Sequence, residues 1–166
     1  MEKNLQCSEA TKKLQVMVND IRTCLFITSG KTGNRTSRPM AVVDVDDDGN
    51  IWFFADINSN KVKDIELEHF VQLAFAHPGK DSYLDVRGRA SVTTDKNAIS
   101  EKWNPMVKAW FPEGKDDSSV CLIRIKTDEA HYWDTNSTKM VQFLQAALSV
   151  VTGKQLVEGV HGELNM

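Results

Sequence analysis

From Leu84 to Val92 the chain reads Leu-Asp-Val-Arg-Gly-Arg-Ala-Ser-Val, small or apolar residues alternating with polar ones without a break. Side chains of a strand point alternately to two faces, so this stretch reads as a half-buried β-strand, with Gly88 marking a bend. Other segments join it. Cys24 to Ile27 and Met40 to Val45 are apolar runs separated by a Gly/Asn/Ser/Thr-rich loop from Ser29 to Ser37. Asp46-Asp47-Asp48-Gly49-Asn50 then divides the second run from Ile51 to Ala55, and Asp-Gly between apolar runs is a hairpin signal. Val71 to Ala76, Val120 to Ile125 and Ala130 to Trp133 complete the strand set, with Pro78-Gly79 as a turn.

Helices occupy the remainder. Leu14, Met17, Val18 and Ile21 follow the spacing of one helix face, with Ser8 as N-cap. A short helix is expected near Ser59 or Asn60, with Val62 and Ile65 inward. Another runs from about Asp95 to Trp110, interrupted at Pro105, and a last one from about Ser137 to Val151. Strands at hairpin distances with short helical insertions give an α+β class and an antiparallel sheet that closes on itself, rather than a doubly wound fold. Residues 1–152 are expected to form one domain and 153–166 a loose C-terminal tail.

Charge narrows the partners. Twenty Lys plus Arg against 23 Asp plus Glu argue against broad attraction to nucleic acid or an anionic membrane. Cys7, Cys24 and Cys121 suit neither a disulfide framework nor a C-x-x-C pair, and no stretch approaches the ~20 apolar residues of a membrane span. The expectation is a cytoplasmic protein with no nucleic-acid or membrane partner.

Several motifs fail on inspection. Asp44 to Gly49 matches the start of a calcium loop, but the position of the closing glutamate is Ala55, inside a strand. Gly30-Lys31-Thr32 has the end of a phosphate-binding P-loop without its first glycine, a place taken by Leu25. His69, His77, His131 and His161 are scattered, so no metal site is expected. There is no Gly-x-Ser-x-Gly elbow.

One constellation survives. A strand opening Ser37-Arg38-Pro39-Met40, a second ending Phe54-Ala55-Asp56, and Asn58-Ser59-Asn60-Lys61 at a helix start suggest an anion site. Helix N–H groups, a Ser hydroxyl and a Lys ammonium can cradle a phosphate, with Arg38 adding a bidentate contact. On residues alone a second reading stands beside it, in which Ser59 is an ordinary N-cap and Lys61 and Arg38 are solvated.

These segments, in order with Gly88-Arg89-Ala90, Trp103-Asn104-Pro105-Met106-Val107-Lys108-Ala109-Trp110-Phe111-Pro112 and Tyr132-Trp133-Asp134, resemble the bacterial general stress protein 26 family. That family is a branch of the pyridoxamine 5′-phosphate oxidase-like, flavin-binding split barrels, and the similarity runs from about Leu14 to Gly153. The resemblance implies an antiparallel six-stranded split β-barrel with short flanking helices, and a homodimer with FMN at the subunit interface. It places Arg38, Pro39 and Met40 along the isoalloxazine and ribityl chain, with Arg38 also at the phosphate. Phe54, Ala55 and Asp56 continue that wall, Ser59 and Lys61 hold the phosphate, and Trp133 approaches the flavin from the second subunit. Trp133 reads equally as a core or interface aromatic, while Trp110 and Phe111 read as core.

The departures also count. Where the vitamin oxidase has a basic Arg and His cluster for its substrate, this chain has Lys139, Val141 and Phe143, and Tyr83 replaces a glutamine that contacts the flavin. Lys139 is the residue carried over as a substrate contact, and pyridoxamine phosphate oxidation itself is not expected. The function implied is that of an FMN-binding general stress protein, a flavin-dependent oxidoreductase drawing on NAD(P)H or a small-molecule substrate. The alternatives are a non-catalytic FMN-holding module and an interaction protein with an empty pocket.

Overall fold

The computed structural model describes residues 5–134 and 160–165. In chain order the elements are β1 (Leu5–Gln6), α1 (Cys7–Ile21), β2 (Thr23–Ser29), β3 (Arg35–Ala41), β4 (Asp44–Val45), β5 (Ile51–Asp56), α2 (Asn60–Leu67), β6 (Phe70–Ala76), β7 (Tyr83–Thr93), α3 (Lys96–Lys102), a 3-10 turn (Pro105–Ala109), β8 (Val120–Asp134) and β9 (Val160–Asn165). The strands pair in the order β1-β9-β8-β7-β6-β2-β3, with β5 branching from β8 and carrying β4. All these pairings are antiparallel except β1 with β9.

The alternating segment is the frame of this sheet. β7 pairs along its length with β8, and the ladder shifts register between Arg87 and Gly88. A Cβ at Gly88 would lie 2.2 Å from the Lys126 carbonyl oxygen, so only glycine fits the bulge. Opposite that bulge the two expected strands, Val120 to Ile125 and Ala130 to Trp133, are one. The polar link Lys126 to Glu129 stays in the ladder because β7 pairs with Lys126, Thr127 and Glu129, with Asp128 the extra residue at the register shift. The other edge of β8 serves two strands, β5 at residues 120–125 and β9 at 129–134. β9 lies within the segment expected to be a loose tail, where Leu164 is buried. The helix expected at about 137–151 falls outside the described residues.

The expected strand from Met40 to Val45 is also divided. β3 ends at Ala41, and Val42 and Val43 carry the chain to β4, with the Val43 amide donating to the Trp52 carbonyl. This short link ties the β3 end of the strand path back to the β5 branch on β8, so the sheet curls into a split barrel with a seam between β3 and β5. The Asp46 carboxylate is spent on the following hairpin, accepting from the Asn50 and Asp48 amides and from Trp52 Nε1, with Gly49 at φ 77.

Apolar side chains from β2, β5, β6, β7 and β8 fill the interior, where Phe26 and Phe53 meet edge to face at 5.2 Å. α1 contributes Leu14, Met17 and Val18, and α2 contributes Val62 and Ile65. A smaller core of Ile99, Val107, Phe111, Val120 and Leu122 anchors α3 and the 3-10 turn. Phe111 is core as expected, whereas Trp110 is 68% exposed. No described helix is long and apolar enough to cross a membrane.

Candidate functional site

Arg38 of β3 lies within electrostatic reach of Lys61, two residues past Ser59 at the start of α2. Arg38 lies on β3 opposite Phe26 of β2, and Ser59 and Lys61 follow the turn out of β5. Asp56 makes that turn: its carboxylate accepts from the Asn58 amide at 2.7 Å and its carbonyl from the Ser59 amide at 3.0 Å. Asp56 therefore shapes the approach, and its charge reaches Lys61 from the turn.

Ser59 occupies the N-cap position of α2 with extended backbone angles, yet its side chain makes no capping bond. Its Oγ is buried and has no hydrogen-bond partner among the described residues. A buried hydroxyl without a partner is costly, and the uncapped helix start also leaves first-turn N–H groups without their usual acceptor. Beside it, Lys61 is half-buried and makes no hydrogen bond or ion pair to any described residue. Burial, and next the Arg38 guanidinium, push the Lys61 ammonium below its ordinary range, against smaller pulls from Cys121 and Asp56. Burial likewise lowers Arg38, opposed by Asp64.

The Ser59 hydroxyl, the N–H groups of the α2 start, Lys61 and Arg38, the last with Asp64 3.7 Å from Nη2, supply hydrogen-bond donors and positive charge. The arrangement fits a phosphate, whose oxygens accept from all of them. Arg38 and Lys61 are half-buried, and Ser59 holds the N-cap position without a side-chain capping bond.

Other expected residues lie elsewhere. Met40 is in the main core. Ala55 is buried and its carbonyl accepts from Cys121 Sγ at 3.3 Å; burial pushes that thiol up to about 11. Phe54 packs edge to face on Trp103 at 5.4 Å beside the smaller core. Pro39, one residue from Arg38, faces the opposite side of the strand, as strand periodicity demands. There it joins Leu25, Ala74, Tyr83, Asp85 and Trp133 around an open, largely apolar groove of about 540 Å³. Trp133, 47% exposed, pairs across the ladder with Tyr83. Trp133 therefore belongs to the outer groove, and Arg38, Ser59 and Lys61 do not line it. Lys139 falls outside the described residues.

Three residues went unread in the sequence. Arg38 Nη1 donates to Thr28 Oγ1 at 2.7 Å and Nη2 to Thr36 Oγ1 at 2.6 Å, while Thr28 Oγ1 donates to Asp64 Oδ2 at 2.6 Å. Thr28 continues the inward parity of Cys24 and Phe26, and a polar residue at a core position was the available signal.

The sequence profile described as Pyridoxamine 5'-phosphate oxidase like matches residues 9–157. Protein bli-3 of Neurospora crassa is 28% identical over 160 residues, covering 85% of this chain and 76% of its own. The solved structure of a general stress FMN/FAD binding protein from Xanthomonas citri superposes with a TM-score of 0.65 at 29% identity, covering 77% of this chain and 89% of that one. A general stress protein 26 structure from Jannaschia sp. CCS1 shares the fold more completely, with a TM-score of 0.74 at 23% identity over 94% of this chain and 98% of its own. Profile and split-barrel fold agree along the described chain, and this protein belongs to the pyridoxamine 5'-phosphate oxidase like family.

Proposed function

We propose that this protein binds FMN at the β3/β5 seam as a homodimer and acts as a flavin-dependent oxidoreductase. The observation that carries the reading is the partnerless, buried Ser59 Oγ at the start of the helix that bears Lys61, whose half-buried ammonium feels the Arg38 guanidinium. Family membership and the FMN/FAD binding named for the Xanthomonas citri structure support it.

In this reading Arg38, Ser59 and Lys61 hold the phosphate. The strands bearing Pro39, Met40, Phe54, Ala55 and Asp56 line the rest of the cofactor, and a planar ring suits their apolar character. Bound FMN supplies reversible two-electron redox chemistry. The chain's own groups anchor and orient it, neutralise its charge and shield it from water. The dimer rests on the outer groove, where exposed Leu25, Tyr83 and Trp133 form an apolar face that a second copy would cover. Trp133 of the partner subunit would then approach the cofactor.

The test compares FMN with riboflavin, which lacks the phosphate. Lys61→Ala is expected to weaken FMN about 10- to 100-fold, the range for a lost charge-assisted bond, and to leave riboflavin unchanged. Equal losses for both would refute the cradle. Reduction of the bound flavin by NAD(P)H, followed by reoxidation by a defined acceptor, separates an oxidoreductase from a protein that only holds the cofactor.

A further inference from the structure

Arg38 does not reach the seam unaided. Its two terminal nitrogens are each held by a threonine hydroxyl, Nη1 by Thr28 and Nη2 by Thr36. A hydroxyl has one proton to give. Thr28 gives its proton to Asp64 Oδ2 at 2.6 Å, and Thr36 Oγ1 points at the same oxygen from 3.5 Å. With its proton committed to a carboxylate, Thr28 can only accept from the guanidinium. Asp64 Oδ2 also lies 3.7 Å from Nη2, closing the network.

The arrangement spans three elements. Thr28 is 1% exposed on β2, Thr36 sits across the hairpin from it on β3, and Asp64 comes from the first turns of α2, the helix that begins at Ser59 and Lys61. The helix that offers Lys61 thus also fixes the counterpart cation.

We propose that Asp64 and Thr28, with Thr36, are positioning residues that order the hydroxyl protons and aim Arg38 at the phosphate. They thereby set the preference for a phosphorylated flavin over its unphosphorylated form. The inference rests on the FMN reading of the seam. It makes a distinctive claim about sign. Simple electrostatics says that removing the Asp64 charge makes the site more positive and tightens a dianion. Positioning says that the same change loosens it, because the hydroxyls no longer have a fixed direction.

Two substitutions separate these outcomes: Thr28→Val, which keeps shape and charge but deletes the hydroxyl, and Asp64→Asn, which keeps shape but deletes the charge. Affinities for FMN and riboflavin are measured by quenching of flavin fluorescence, with riboflavin as the internal control for an intact fold. Thr28→Val is expected to weaken FMN about tenfold while riboflavin binding holds, and Thr28→Ser is expected to restore it. Asp64→Asn is expected to lower the FMN to riboflavin affinity ratio. An unchanged ratio in Thr28→Val, or a raised ratio in Asp64→Asn, overturns the positioning role and leaves the cradle standing. A parent protein that binds both flavins equally overturns the cradle and this inference with it.

Discussion

Ser59→Ala is expected to act in opposite directions on the free and the liganded protein. A serine N-cap replaced by alanine ordinarily costs about 0.5–2 kcal/mol, because the side-chain oxygen bonds an amide of the first turn. Here that bond is absent and the Oγ is buried without a partner, so there is no cap to lose. A buried polar group left unsatisfied costs about 1–3 kcal/mol, and alanine removes the group. The free protein should therefore gain about 1 kcal/mol or more, which at this chain length raises the melting temperature by about 2–4 °C per kcal/mol. FMN binding should move the other way, losing one hydrogen bond to a charged oxygen and with it about 10- to 100-fold in affinity. Thermal unfolding of flavin-free protein, at fixed protomer concentration because a dimer's stability depends on it, reads the first quantity. Fluorescence titration reads the second. A lower melting temperature would show that the hydroxyl has a partner in the free chain. Unchanged FMN affinity would remove Ser59 from the cradle.

Further predictions concern the groove, the bulge and pH. Leu25→Asp puts a carboxylate on the apolar outer face, a cost above about 2 kcal/mol if that face is buried, so light scattering should find monomer with weakened FMN binding. A dimer that retains FMN would contradict the interface. Gly88→Ala brings a Cβ to 2.2 Å from a backbone oxygen that cannot yield, and chemical denaturation should report a loss of about 1–3 kcal/mol; an unshifted midpoint would argue against the bulge geometry. Burial and Arg38 hold the Lys61 ammonium below its ordinary range, and a phosphate dianion favours its charged form. FMN affinity should be full where Lys61 is protonated and fall as pH rises through that depressed pKa, while Lys61→Arg, charged throughout, flattens the decline. A ratio of FMN to riboflavin affinity that stays flat with pH in the parent protein would count against Lys61 at the phosphate.

Much of the barrel was legible because strand periodicity is local. The alternation at 84–92, the Asp-Gly hairpin and the helix-face spacing of Leu14 to Ile21 each declare themselves within one element, and β7, the Asp46 turn and α1 follow them closely. The errors arose where distant pairing decides. The polar stretch 126–129 reads as a break until β7 lies beside it, and residues 160–165 read as a tail until β8 offers its free edge. Exposure followed the same rule: nothing in Trp110-Phe111 tells which ring faces the smaller core.

The site divides along the same line. Residue types and their order named Arg38, Ser59 and Lys61 as a set, because a phosphate calls for a cation, a hydroxyl and a helix start in that vicinity. Only the tertiary structure joined β3 to the start of α2 across the seam, left the Ser59 hydroxyl without a partner, and separated the set from Trp133 on the outer groove. The support for Arg38 from Thr28, Thr36 and Asp64 was likewise invisible, being assembled from three elements. Periodicity is written along the chain and can be read there. Which polar atoms meet, and which are left without a partner, is decided by how the curled sheet closes.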